Sequence, residues 1–401
     1  MKKNQPKRAW VERLFQKEGG RSRSRRWPFG QWLLAKMKKD LPKRKRLDLL
    51  FQEEGGGWWD LLLFPLSIVS WIYGMVVGIR KILYQRGLFK SRRLPCKVIS
   101  VGNITLGGTG KTPLVIALTR ELLKRGISVG ILSRGYKGLK EKTGGVVSDG
   151  RQIHLTSAEA GDEPFMLARQ LSGVPVIVGK KRYAMGIYAL ERFGMDCLIL
   201  DDGFQHLGIR RDVDIVLIDA RRRFGNGRLF PRGPLREPLR CLRRASMLVL
   251  TKTSASQPLA VLEDVLRQHA STAPFYHSRY KPAFLLEAAS GKLSPPQMVC
   301  GKRVFAFAGI ADPEYFVYLL KELGANVAKE IHFPDHYNYE LADLMMLREQ
   351  DKRVDLFVTT EKDFVKLQRL PWNDIPLYIL GIEEEIVEAE FYQELISALS
   401  S

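Results

Sequence analysis

The string TLGGTGKT, residues 105–112, stands between the apolar run KVISVGN and the helix-patterned run PLVIALTRELLKRG. An apolar strand, a glycine turn and a helix in that order form the opening unit of a parallel α/β sheet, with the turn at the carboxyl end of its strand. Glycine lets successive backbone N–H groups converge on an anion, and the helix adds the positive end of its dipole. Gly107, Gly108, Thr109 and Gly110 therefore read as a cradle for a nucleoside triphosphate. Lys111 supplies a movable charge for the β- and γ-phosphates, and the Thr112 hydroxyl is a ligand for Mg²⁺. The usual loop opens on glycine five residues before its second glycine; here that place is held by Thr105, whose Cβ restricts the turn. A plain glycine turn is the alternative.

The rest of the chain is consistent with that opening. CKVISVGN, ISVGILSRG, VPVIVG, MDCLILDD, VDIVLIDA and SMLVLTKT read as strands, and PLVIALTRELLKRG and KRYAMGIYALERFG have helical spacing. KLSPPQMVCGK reads as a linker, after which RVFAFAGIADPEYFVYLLKELG, ANVAKEIHF, VDLFVTT and IPLYIL begin a second βα series. The expected architecture is an α/β protein: a parallel-sheet P-loop domain over residues 96–290 and a smaller α/β domain over 291–401. The site should lie at the carboxyl ends of the strands and in the cleft between the domains. Four cysteines without a CxxC pair point to neither a zinc site nor a disulfide framework.

Charge and hydropathy set the first 95 residues apart. Residues 1–57 carry 17 Lys/Arg against 6 Asp/Glu, about half of the net charge of +21, and contain a weak repeat, KRAWVERLFQKEGG and KRKRLDLLFQEEGG. This leader reads as basic and partly disordered, suited to nucleic acid or to an anionic bilayer surface. Residues 61–79, LLLFPLSIVSWIYGMVVGI, are 19 uncharged positions, which at about 1.5 Å per residue reach roughly the hydrocarbon thickness. Trp58 and Trp59 on one side and Arg80, Lys81 and Tyr84 on the other suit a headgroup boundary. Residues 58–95 are thus expected to be a membrane anchor with a basic flank. Pro65 permits a kink, leaving both a spanning and an in-plane helix open.

Several polar groups fall where the architecture places chemistry. Asp201 and Asp202 follow the strand MDCLIL, where a carboxylate holds Mg²⁺ in P-loop proteins; a structural cap or a salt bridge is the alternative. Asp162, in AGDEPFMLA, is on its own a helix cap. Asp335 and His336 lie in HFPDHYNY, and Arg232 and Arg236 in LFPRGPLREP are suited to clamping phosphate or to a solvated turn. In VTTEKDFVK, Thr360 reads as a helix cap with Asp363 in the first turn.

Taken in order, SVGNITLGGTGKTP, SRGYKG, GDEP, LDDGFQH, NGRLFPRGPLREP, FAGIADP, FPDHYNY and TTEKD resemble the tetraacyldisaccharide 4'-kinase family, the lipid A 4'-kinases of Gram-negative bacteria. The resemblance runs from the apolar anchor to about residue 380, and that family also carries threonine at the place of Thr105. It implies ATP as co-substrate and Mg²⁺ as cofactor, with Lys111 and Thr112 on the nucleotide and metal and Asp201 and Asp202 beside the metal. It further implies Asp162 as the base for a sugar hydroxyl, tuned by His336, and substrate or phosphate contacts for Tyr136, Arg182, His206, Arg236 and Glu237. The implied partners are an acylated disaccharide lipid and the anionic membrane surface, with no nucleic acid expected, and the implied place is the cytoplasmic face of the inner membrane. A partition-type ATPase would carry lysine where Leu106 stands, and no helicase string accompanies the basic charge.

Overall fold

A computed structural model of the protein describes residues 63–400, apart from 255–256, 271, 350–353, 369 and 373–374. The basic leader and residues 58–62 lie outside the described residues. The chain opens with a long helix, α1 (Phe64–Gln85), and then alternates: β1 (Lys97–Asn103), α2 (Lys111–Lys124), β2 (Val129–Ser133), β3 (Gly145–Asp149), α3 (Ser157–Ala160), α4 (Asp162–Gln170), β4 (Pro175–Val178), α5 (Arg182–Phe193), β5 (Cys197–Asp201), β6 (Val213–Asp219), β7 (Met247–Thr251) and α6 (Ala260–His269). It continues through β8 (Phe275–Glu287), β9 (Leu293–Ser294), β10 (Arg303–Ala308), α7 (Pro313–Glu322), β11 (Asn326–His332), α8 (Leu341–Arg348), β12 (Leu356–Thr360), α9 (Glu361–Leu367), β13 (Leu377–Ile386) and α10 (Glu390–Ser400).

The strands form one 13-stranded sheet in the order β11-β10-β12-β13-β8-β7-β6-β1-β5-β2-β4-β3, with β9 paired to β8. Pairing is parallel except where β3 meets β4 and where β8 meets β13 and β9. Central strands such as β1, β5 and β6 are rich in Val, Ile and Leu and buried almost throughout, as strands covered by helices on both faces must be. The first strand, β1, lies between β5 and β6, so the segments after Asn103, Asp201 and Asp219 open on one edge of the sheet.

The joint between the two βα series is β8. Its first residues pair with β7, and the remainder runs antiparallel to β13 as far as Glu287, three residues short of the expected boundary at 290. The chain then returns. In α10, Phe391, Leu395 and Leu399 are buried in the same cluster as Ile99, Leu114, Leu118 and Ile215 of the first series. Burial of each such side chain is worth roughly 1.5–3 kcal/mol.

Helix α1 is long and apolar enough to cross a membrane. Pro65 sits in its first turn, where no N–H is needed, and does not interrupt it. One side of the helix is fastened to the body. The Ser70 hydroxyl donates to the Leu229 carbonyl and accepts from the Arg232 N–H, both at 2.9 Å. Tyr73 donates to the Arg236 carbonyl at 2.8 Å and Arg80 to the Gln205 carbonyl at 3.1 Å. The opposite side leaves Phe64, Trp71, Val76 and Ile79 exposed, Trp71 by 66%.

Candidate active site

The glycine loop closes against its own strand and against the 229–238 segment. Asn103 Nδ2 donates to the Thr105 carbonyl at 2.9 Å, and Leu106 N–H donates to the Pro234 carbonyl at 2.7 Å. Thr105 forms an antiparallel bridge with Leu235, so it belongs to an extended segment before the turn, where a Cβ costs nothing. The left-handed position that only glycine takes easily falls at Gly110, φ 91°, which starts α2 directly before Lys111.

Lys111 Nζ lies 3.5 Å from Asp202 Oδ1 and 3.5 Å from Asn103 Oδ1. Asp202 also accepts from Arg236 NH1 through both carboxylate oxygens at 3.0 Å. Burial works to raise its pKa, but Lys111, Arg236 and Arg182 outweigh that and hold it below the usual range. Its neighbour behaves oppositely. Asp201 is buried, its carboxylate accepts from the Ser133 hydroxyl at 2.8 Å, and Oδ1 has no hydrogen-bond partner among the described residues. Burial first, then the charges of Glu163 and Asp202, push its pKa up to about 6. Buried Arg182 donates to the carbonyls of Asp201 and Asp202 at 2.9 and 3.0 Å and so fixes the turn that carries both acids.

The second group of residues gathers around Asp162. This residue is the first of α4, and Gly161 holds the cap position. Its side chain turns to the other series: Oδ2 lies 3.1 Å from His336 Nδ1 and 3.2 Å from Lys366 Nζ. Burial tends to raise the Asp162 pKa, but His336 and Lys366 prevail and lower it. Tyr136 is exposed beside this pair, its ring edge-on to His336 at 6.4 Å. Thr360 caps α9, accepting from Asp363 N–H, while Asp363 accepts from the N–H of Gly309 within FAGIADP and so ties that segment to α9. Among the described residues five non-glycine positions have left-handed backbone, and Asp202, Lys252 and His336 at this edge are three of them.

Comparison with known proteins settles the family. The family model for tetraacyldisaccharide-1-P 4'-kinase matches residues 61–400. The tetraacyldisaccharide 4'-kinase of Syntrophus aciditrophicus is 41% identical over 341 residues, 82% of this chain and 91% of the relative. That of Desulfatibacillum aliphaticivorans is 41% identical over 343 residues, with 83% and 91% covered. The chain belongs to the tetraacyldisaccharide 4'-kinase family. It is an enzyme, a phosphotransferase. A crystal structure of LpxK from Aquifex aeolicus in complex with ATP shares its fold, with a TM-score of 0.66, 34% identity, and coverage of 84% of this chain and 98% of that one.

Within this 4'-kinase the remaining residues marked by the sequence lie on the Asp202 side. Arg236 N–H donates to the Ile104 carbonyl at 2.7 Å, linking the 229–238 segment to the start of the loop. Glu237 is buried and accepts from Arg244 at 2.7 Å. His206 follows the Asp201–Asp202 turn; burial, then Arg182, Arg80 and Arg211, press its pKa down to about 4, so it is neutral at physiological pH. Thr112 is buried in the first turn of α2. The Thr112 hydroxyl and the carboxylates of Asp201 and Asp202 are hard-oxygen groups of the kind Mg²⁺ takes, and Oδ1 of Asp201 is buried without a hydrogen-bond partner among the described residues.

Sequence reasoning missed a buried charged cluster under the loop. Lys252 Nζ donates to the Gly108 carbonyl at 2.9 Å, to Asp219 Oδ2 at 2.6 Å and to Asp312 Oδ2 at 2.7 Å. Thr251 beside it donates to the Thr109 carbonyl at 2.9 Å. Asp312 comes from FAGIADP in the second series, caps α7, and has Arg221 and Arg222 each 3.7 Å away. The signal was present: TKT and DARRR each follow a strand immediately, as LDD does.

Proposed function

We propose that this chain transfers the γ-phosphate of ATP to the 4'-hydroxyl of a tetraacylated glucosamine disaccharide 1-phosphate, at the cytoplasmic face of the inner membrane. The observation that carries this reading is the meeting of Asp162 and His336, from the two series, near a nucleotide loop whose lysine faces Asp202. Glu163, next to Asp162, is among the charges that raise the Asp201 pKa, which supports reading the two groups as parts of one site.

Residues 96–290 supply the nucleotide half and residues 291–401 bring His336 and its supports. The loop of Thr105, Gly107, Gly108, Thr109 and Gly110 offers N–H groups and the α2 dipole to the phosphates, and Lys111 leaves Asp202 for the β- and γ-phosphates. Thr112, Asp201 and Asp202 would hold Mg²⁺, which would supply positive charge to offset that of the phosphates. Asp162 accepts the sugar hydroxyl proton while the 4'-oxygen bonds to the γ-phosphorus. The bond to the bridging oxygen breaks, and ADP leaves with that electron pair. His336 orients the carboxylate, and an imidazole beside it takes up positive charge as the proton arrives. Tyr136, Arg182, His206, Arg236 and Glu237 border the sugar and phosphate path.

The lipid dictates the place of reaction. Each buried CH₂ retains an acylated sugar in the bilayer by about 0.8 kcal/mol, so the enzyme must meet it there. The exposed side of α1 supplies the contact, and the bonds from Ser70, Tyr73 and Arg80 to the body favour a helix lying in one leaflet over one that crosses. Incubation with γ-labelled ATP and the acylated disaccharide 1-phosphate in mixed micelles should put label on the 4'-oxygen. Lys111→Ala should abolish transfer with the fold intact; label on another hydroxyl, or transfer by Lys111→Ala at the wild-type rate, would refute the reading.

A further inference from the structure

The dyad has a third member that neither series alone would reveal. Lys366 is on α9, its side chain only 7% exposed, and Nζ has no hydrogen-bond partner among the described residues. Among the described residues its one ion pair within 4 Å is with Asp162, at 3.2 Å. A buried ammonium ion without compensation is costly, so its place beside a single carboxylate oxygen calls for a reason.

We propose that Lys366 is a positioning residue for Asp162: with His336 it occupies Oδ2 and leaves Oδ1 to accept the hydroxyl proton. The inference rests on Asp162 being the proton acceptor. His336 Nδ1 and Lys366 Nζ approach Oδ2 from different elements, and no described residue donates a hydrogen bond to Oδ1. An oxygen already contacted by two cationic or N–H groups is a poor acceptor, whereas its free partner remains basic.

The surrounding charges divide in the same way. Glu163 follows Asp162 on α4, Asp335 and His336 come from the loop after β11, Tyr136 from the loop after β2, and Lys362 and Lys366 from α9. Lys362 lies 3.6 Å from Glu163, 3.4 Å from Asp335 and 3.5 Å from His336 Nε2. Its close ion pairs are with those two acids and that of Lys366 is with Asp162, while buried Asp363 on the same helix feels both lysines and Asp335 also feels Lys366. Without Lys366, Asp162 would lose its nearest ammonium group among acids that share Lys362, and protonation of Asp162 would be favoured. An opposite charge at this range shifts a carboxyl by about 1–3 pH units, and the partial exposure of Asp162 places the effect near the lower end.

The test is the pH profile of kcat and KM from pH 5 to 9, with full-length enzyme, ATP and acylated disaccharide 1-phosphate in mixed micelles. The acid limb belongs to the Asp162–His336 pair as a unit. Lys366→Met should move that limb upward by about one pH unit and lower kcat with the KM for ATP unchanged, and Lys366→Arg should restore the limb. If the methionine variant does not fold by circular dichroism, Lys366→Gln, which keeps a polar end in the pocket, replaces it. A folded neutral variant that loses kcat while the limb stays in place would reduce Lys366 to packing and overturn the proposal. Wild-type kcat in Asp162→Asn would instead remove the proton-acceptor assignment itself.

Discussion

Glu384 is a buried acid placed against the nucleotide loop, and its removal has a calculable signature. It lies on β13 opposite Tyr280 of β8, and its Oε1 accepts from the Ser278 hydroxyl at 2.5 Å. Oε2 has no hydrogen-bond partner among the described residues, and a Cβ built on Gly110 would lie 3.6 Å from it. Burial pushes this carboxyl up to about 8, with Ser278 and Lys252 only partly opposing the shift. The group is therefore protonated in the folded enzyme and ionised in the unfolded chain between about pH 4.5 and pH 8. The folded state binds the extra proton, so stability is highest below that window and falls as pH rises through it, by about 1.4 kcal/mol per unit. Glu384→Gln keeps the shape and removes the titration. Urea unfolding of both proteins at pH 5.5 and 7.5, in the same detergent and salt, should show the variant gaining about 3 kcal/mol on the wild type across those two units. Other titrating groups, including Glu361, pushed up to about 7 by its own burial, are common to both proteins and cancel. Above pH 8 the wild type should also show a rising KM for ATP, because a carboxylate then lies under the phosphate cradle. Parallel stability curves from pH 5.5 to 8.5 would refute the reasoning.

Three further outcomes are expected. Lys252→Met takes from buried Asp219 and Asp312 the ammonium group they share and should cost about 3–5 kcal/mol in thermal or urea unfolding, part of which Asp312→Asn recovers in the double variant; additive losses would deny the cluster. Gly108→Ala places a Cβ 2.8 Å from that of Ala311, so the loop must shift, and the KM for ATP should rise several-fold with the circular dichroism unchanged. Deleting residues 1–57 should preserve turnover on micellar substrate and weaken attachment to anionic vesicles, a loss that added salt should mimic in the full-length enzyme; equal vesicle binding by both forms would remove the electrostatic role of the leader.

The sequence made the edge of the sheet legible because each parallel strand there is a continuous apolar run ended abruptly by polar residues. β1, β5, β6, β7, β10 and β12 were recognisable on that basis. The strands that escaped are of another kind. β3 is a partly buried five-residue strand at the sheet margin, and β8 mixes Arg, Lys and Pro with aromatics because one part of it runs through a two-stranded joint. The P-loop and the acids after β5 follow from local order alone. The approach of Asp162 to His336, separated by 174 positions, came only from the family resemblance, since spacing gives no sign of it. Lys366 and Lys252 were hidden for the same reason: a lysine in a helix or after a strand looks solvated until the other series closes over it.

The return of α10 to the first series has a consequence for how the enzyme is made. Because Phe391, Leu395 and Leu399 seal a core begun some 290 residues earlier by Ile99, a ribosome must release nearly the whole polypeptide before that core is finished. The amino-terminal portion thus waits, greasy and unfinished, during much of synthesis, and a premature stop just before that helix would leave it unsealed although every one of its own strands had been made.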